Sequence, residues 1–165
     1  MGQAAIRIRV TLSCTLVALA APLPASAEMK HHYDCRVTGT SAVDHLGREG
    51  QTAELTHFTC HITGGLLNGF VATGTNVLEP QKGGARLVGS IVVAQKAGST
   101  VVYEVSEGTR RFKKNKGRVV GWESTGKGTF KTATGSAAAL AGRSFSSFVR
   151  SGDPGAFSIE VVVGD

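Results

Sequence analysis

The run Val119-Val120-Gly121-Trp122-Glu123-Ser124-Thr125-Gly126-Lys127-Gly128-Thr129-Phe130-Lys131 constrains the fold more than any other part of the chain. Val120, Trp122, Ser124, Gly126, Gly128 and Phe130 fall on one side of a strict alternation. Glu123, Thr125, Lys127, Thr129 and Lys131 fall on the other. Successive side chains of an extended chain point to opposite faces, so the run predicts a strand with one face buried and one in water. At thirteen residues it exceeds the usual strand and must coil or bend. Gly126 and Gly128 lie on the buried face, where glycine removes the side chain that would clash inside a bend. The pattern predicts a curved barrel strand, with Trp122 and Phe130 filling the interior and the two glycines letting the sheet close between them.

Other segments repeat the rhythm. After Gly64-Gly65 and a short turn at Leu66 to Asn68, Gly69 to Leu78 reads as a strand, broken by Glu79 to Gly84. Arg86 to Gln95 and Ser99 to Ser106 form a hairpin around Ala97-Gly98, with Val101, Tyr103 and Val105 inward. Periodicity does not decide whether Ser136 to Arg143 is one helical turn or a short strand. Phe145 and Phe148 anchor the next segment, and Phe157, Ile159, Val161 and Val163 alternate in the last. Strands recur every ~10–15 residues, an all-β pattern. Nearest-neighbour hairpins and the need to remove exposed edges favour a closed, antiparallel, mostly up-and-down barrel over a sandwich.

The N-terminus reads differently. Arg7 and Arg9 precede an apolar run from Val10 to Ala21 that is too short to span a membrane. Ala25-Ser26-Ala27 fits a small-residue cleavage site. Residues 1–27 are therefore expected to be a cleaved signal peptide, and residues 28–165 one barrel domain, secreted or periplasmic. Cys14 precedes most of the apolar run, the wrong place for a lipid-bearing cysteine. Without Arg7 and Arg9, the formal net charge of +6 drops to that of an ordinary, mildly basic protein. No later segment is apolar enough to span a membrane.

Cys35 and Cys60 remain in the mature chain, and two cysteines in an exported protein suggest a disulfide. A hairpin turning at Gly47-Arg48 would set Tyr33, Cys35 and Val37 opposite Ile62, Cys60 and Phe58. His32, Asp34, Arg36 and Thr38 would then face Thr63, His61, Thr59 and His57. One register sorts both strands into an apolar and a polar face, and a one-residue slip would scramble them.

Few residues suggest chemistry. His61, Asp34 and His32 come together on the polar face, but away from the core a metal site lacks supporting groups, and no metal or cofactor is expected. Arg110-Arg111-Phe112-Lys113-Lys114-Asn115-Lys116-Gly117-Arg118 holds six cations and no acid. It reads as a solvated hairpin tip, with contact to an anionic surface through Arg110, Arg111, Lys113, Lys114, Lys116 and Arg118 as the alternative. A single interleaved aromatic gives base stacking little support, so no nucleic-acid partner is expected. Gly121 to Lys127 matches GxxxxGK, but Gly128 stands where a Ser or Thr must hold magnesium, and the pattern lies within a strand. No serine sits in GxSxG.

Gly126-Lys127-Gly128-Thr129-Phe130-Lys131-Thr132-Ala133-Thr134-Gly135 resembles the G-x-G-x-F-x-x-A-T-G stretch of the allene oxide cyclase and dirigent barrel group. Gly126, Gly128, Phe130, Ala133, Thr134 and Gly135 match. The resemblance implies a calycin-like, eight-stranded antiparallel barrel, often a homo-oligomer, with a hydrophobic cavity. Members cyclise an unsaturated fatty-acid epoxide or steer the coupling of phenoxy radicals. Their working residues have no counterpart assigned here, and Gly126, Gly128 and Gly135 are expected to be structural.

The leading expectation is a barrel that binds a small apolar or amphipathic molecule without turning it over, lined by Tyr103, Trp122, Ser124 and Phe130. An isomerase or cyclase using the same cavity would need an inward ionisable group. Small barrels also fill their interior with side chains, and the sequence does not state the volume.

Overall fold

The computed structural model describes residues 29–44 and 52–164. The expected signal peptide and the expected turn at Gly47-Arg48 lie outside the described residues. Eight antiparallel strands close into a barrel in sequence order. They are β1 (Met29–Asp44), β2 (Thr52–Thr63), β3 (Val71–Gln81), β4 (Gly84–Lys96), β5 (Ser99–Asn115), β6 (Arg118–Ala133), β7 (Ser144–Ser151) and β8 (Ala156–Val163). β8 pairs back onto β1, with Tyr33 opposite Ile159 and Cys35 opposite Phe157. Closure gives each of these strands two neighbours.

The predicted register of the first hairpin holds from His32–Thr63 to Val37–Phe58. The Cys35 and Cys60 sulfurs stand at disulfide distance, 2.04 Å, inside the barrel wall. Beyond Val37 the register shifts, and Gly39 rather than Thr38 faces His57. Such a bulge inserts one residue and reverses which parity points inward. Similar shifts fall between Leu87 and Gly89 on β4 and between Val105 and Glu107 on β5. Two further shifts fall on β6, at Lys131 and Val120.

Several boundaries differ from expectation. β3 continues through Pro80 to Gln81, because the chain reverses only at Lys82-Gly83, where Gly83 has φ 84°. β5 does not stop at Ser106 but runs to Asn115 as one arm of a long hairpin with β6. Lys116 (φ 47°) and Gly117 (φ 80°) make its turn, the positive-φ pair that suits the twist of a two-residue hairpin loop. The Ala-rich stretch is a 3₁₀ turn, Gly135–Leu140, and a second such turn spans Gly65–Leu67.

These two turns meet at one end of the barrel and drive Leu67, Ala137 and Leu140 into the core. Above them Tyr33, Ile62, Phe70, Val101 and Phe130 are fully buried. That end is therefore filled. His31 is the exception to the outward placement of the histidines: it is 1% exposed, and its Nδ1 donates to Gly64 O at 3.1 Å. Among the described residues no helix is long and apolar enough to cross a membrane. A buried cysteine pair at bonding distance is compatible with an exported protein.

Candidate functional site

The lumen is hollow above the packed end. A cavity of about 570 Å³ opens beside the β7–β8 turn. Phe58, Val92, Tyr103, Val105, Phe145, Phe157 and Val161 form its lower wall, and Trp122 and Ser124 its upper wall. Cross-strand order builds this wall. Tyr103 faces Phe130, Val105 faces Gly128, Gly108 faces Gly126, Arg110 faces Ser124 and Phe112 faces Trp122. Gly126 and Gly128 therefore lie between Ser124 and Phe130 on β6, close against side chains of the neighbouring strands β5 and β7.

Of the residues expected to line the cavity, Tyr103, Trp122 and Ser124 do so. Phe130 does not. It is 0% exposed and packs beneath the floor, 5.4 Å from Tyr103 and 4.9 Å from Phe145 between ring centroids. It lies too deep, against the plug made by the 3₁₀ turns. Ser124 Oγ donates to Thr109 O at 2.8 Å, so its hydrogen is already engaged with the wall. Tyr103 meets Tyr33 edge-on at 6.4 Å. Burial raises the Tyr33 phenol well above its ordinary value, and its hydroxyl is buried without a hydrogen-bond partner among the described residues. Burial raises Tyr103 likewise, and a negative charge on Tyr33 would raise it further. Both phenols stay neutral.

Arg110 corrects the reading of the basic segment. It was expected outside with its neighbours, but it faces the lumen. The bulge around Ser106 ends the inward run of odd positions (Val101, Tyr103, Val105) and turns the even-numbered Arg110 inward. The guanidinium carbon sits 4.2 Å from the centroid of the Trp122 ring, within cation–π range. Burial lowers the Arg110 pKa from its ordinary value, and the nearby Glu54 carboxylate opposes this. Glu54 also reaches the lumen and accepts the Thr56 hydroxyl at 3.1 Å. A signal for Arg110 existed in the sequence: a lone glycine inside a strand, here Gly108, marks a bulge.

The remaining cations, Arg111, Lys113, Lys114, Lys116 and Arg118, lie exposed around the hairpin. Lys113 forms an ion pair with Glu123 across the two strands, at 2.5 Å. From Phe112 to Trp122 the ladder pairs β5 and β6 only with each other, so this ribbon projects beyond its neighbours at the open end. It also exposes Phe112, Val119 and Val120, the last at 64%.

The outward histidine group is looser than a metal site needs. His61 faces Asp34, and His32 Nε2 is 3.3 Å from Asp34 Oδ1. Among the described residues no group of three or more metal-ligating side chains assembles. Gly128 is structural: a Cβ there would strike Glu104 O and the Phe145 ring. Gly135 has φ 60° and would strike Ser99. A shallower depression of about 430 Å³ runs along the outer wall by Glu107, Lys127, Phe148 and Glu160. Compared with protein-family models, with curated proteins and with solved structures, the chain has no match in any of the three.

Proposed function

We propose that this barrel binds a small apolar or amphipathic molecule in its lumen, as an exported, secreted or periplasmic protein. The observation that carries the reading is the cavity of about 570 Å³ under an aromatic wall of Phe58, Tyr103, Trp122, Phe145 and Phe157. Ligand pockets of ~300–1,000 Å³ are mostly apolar with a few placed polar groups. The likeness of residues 126–135 to the allene oxide cyclase and dirigent barrels supports the same reading. Native mass spectrometry of freshly purified mature protein tests it. The expected result is a co-purifying small molecule that is lost on unfolding. Uniform apo mass, with no saturable change in Trp122 fluorescence across a lipid and phenolic panel, would defeat it.

A second reading concerns the β5–β6 ribbon. Arg111, Lys114, Lys116 and Arg118 surround the exposed apolar side chains of Phe112, Val119 and Val120. Cations beside apolar groups suit an anionic lipid surface better than nucleic acid, which offers no apolar phase. Salt-sensitive binding to phosphatidylglycerol vesicles is the expected result, and none to phosphatidylcholine vesicles. Equal binding to both would remove this reading.

A further inference from the structure

We infer that the lumen takes an amphipath with an oxyanionic head, a carboxylate or similar compact anion on an apolar body, and that Arg110 is the residue that fixes that head. The inference rests on the ligand-binding reading and names its chemistry. Arg110 is the only cation among the described residues lining the cavity. Its Nε is buried and has no hydrogen-bond partner, and it forms no ion pair within 4.0 Å among the described residues. A buried donor without an acceptor is unusual in a folded protein and calls for one. Arginine offers five N–H donors in a planar fork that matches a carboxylate. Stacking on Trp122 occupies the face of that plane and leaves its edge free to donate.

The rest of the lumen accounts for the apolar body. Below the Arg110–Ser124 pair come Gly108 and Gly126, then Val105, Tyr103 and Phe145. From Arg110 to Tyr103 the strand runs roughly 20 Å. A head at Arg110 therefore places its body in the deep, apolar part of the cavity, with the charge near the opening. Glu54 and Asp153 also line the opening and oppose an anion. Both are exposed, so solvent weakens their repulsion more than burial weakens Arg110. Glu54 is the nearer influence, since its carboxylate acts on Arg110.

Isothermal titration of the oxidised mature protein with matched probes tests this. Decanoate is compared with 1-decanol, and 3-phenylpropanoate with 3-phenylpropanol, all at pH 8 and below any micelle concentration. The acid of at least one pair is expected to bind roughly tenfold tighter than its alcohol, the scale of one charge-assisted hydrogen bond. The pair that discriminates identifies an acyl or an aryl body. Arg110→Met should abolish the preference while keeping alcohol affinity, and Glu54→Gln should enlarge it. If acids and alcohols bind wild-type protein equally, the head-group assignment falls and the ligand-binding reading stands. If no probe binds, both fall. Should Arg110→Met not fold, the wild-type comparison and Glu54→Gln decide the matter. Unchanged acid preference in Glu54→Gln counts against Arg110 as the anchor.

Discussion

Gly108 lies directly opposite Gly126 across the β5–β6 ladder. Gly126 lines the lumen between the arginine above and the aromatic floor below. A Cβ on Gly126 would come within 2.9 Å of both Ser147 Oγ and Val105 Cγ1. Both neighbours are side-chain ends that can shift. Gly126→Ala should therefore cost about 1–3 kcal/mol, the usual range for overpacking, and lower ligand affinity. At Gly128 the obstacle is the Glu104 carbonyl oxygen, which the ladder holds in place. Gly128→Ala should cost clearly more. Urea unfolding of both variants gives the comparison, and a larger loss at Gly126 would contradict it.

The Cys35–Cys60 link closes a sequence separation of 25 residues. Replacing both cysteines by alanine should lower stability by about 3 kcal/mol in the chain-entropy description. Both sulfurs belong to the buried core, so a small packing loss adds to this. Chemical denaturation of the double variant measures the sum. Stability equal to wild type would mean that the bridge does not constrain the unfolded chain.

His31 gives the fold a pH dependence. Burial lowers its pKa below 6.5, against a smaller opposing effect of the Gly64 carbonyl. Its Nε2 is buried with no partner, so a proton there gains no acceptor. The unfolded chain thus binds the proton more readily than the folded one. Stability is full above the unfolded value near 6.5, declines as pH falls below it, and levels off below the folded value. His31→Gln keeps a donor for Gly64 and should flatten the urea midpoint across that window. An unchanged slope would assign the dependence to other groups.

Lysines along the ribbon should not be equivalent. Lys113 is neutralised by Glu123, whereas Lys114 and Lys116 have no acid beside them among the described residues. Replacing Lys114 and Lys116 by alanine should weaken binding to anionic vesicles roughly 30-fold, at ~1 kcal/mol per charge near the surface. Lys113→Ala should change it little. Vesicle co-sedimentation at two salt concentrations separates these outcomes.

The barrel was readable because its walls alternate. The register through Tyr33, Cys35 and Val37, the inward phase of Trp122 and the hairpin tip within residues 110–118 all follow from side-chain parity and turn chemistry. Arg110 was misplaced for a single physical reason: parity holds only until a strand takes an extra residue, and β5 does so near Ser106. Phe130 was misplaced in depth rather than direction. Alternation tells which face a residue occupies, not how far along the barrel axis the filling stops. The filling comes from the two 3₁₀ turns, whose short apolar segments carry no period to read. His31 faces inward by the same parity as Tyr33.

Those two turns have a kinetic meaning as well. With Leu67 and Leu140 filling the far end, the described residues leave a doorway beside the β7–β8 turn, and a guest that enters there departs by the route it arrived. An elongated guest that slides in body-first presents its leading atoms to the blind end and its trailing group to the outside. Residence time is then governed by the residues at the threshold, so changes around Arg110, Trp122 and the β7–β8 turn should alter how fast cargo escapes more than how well the bottom of the well fits it.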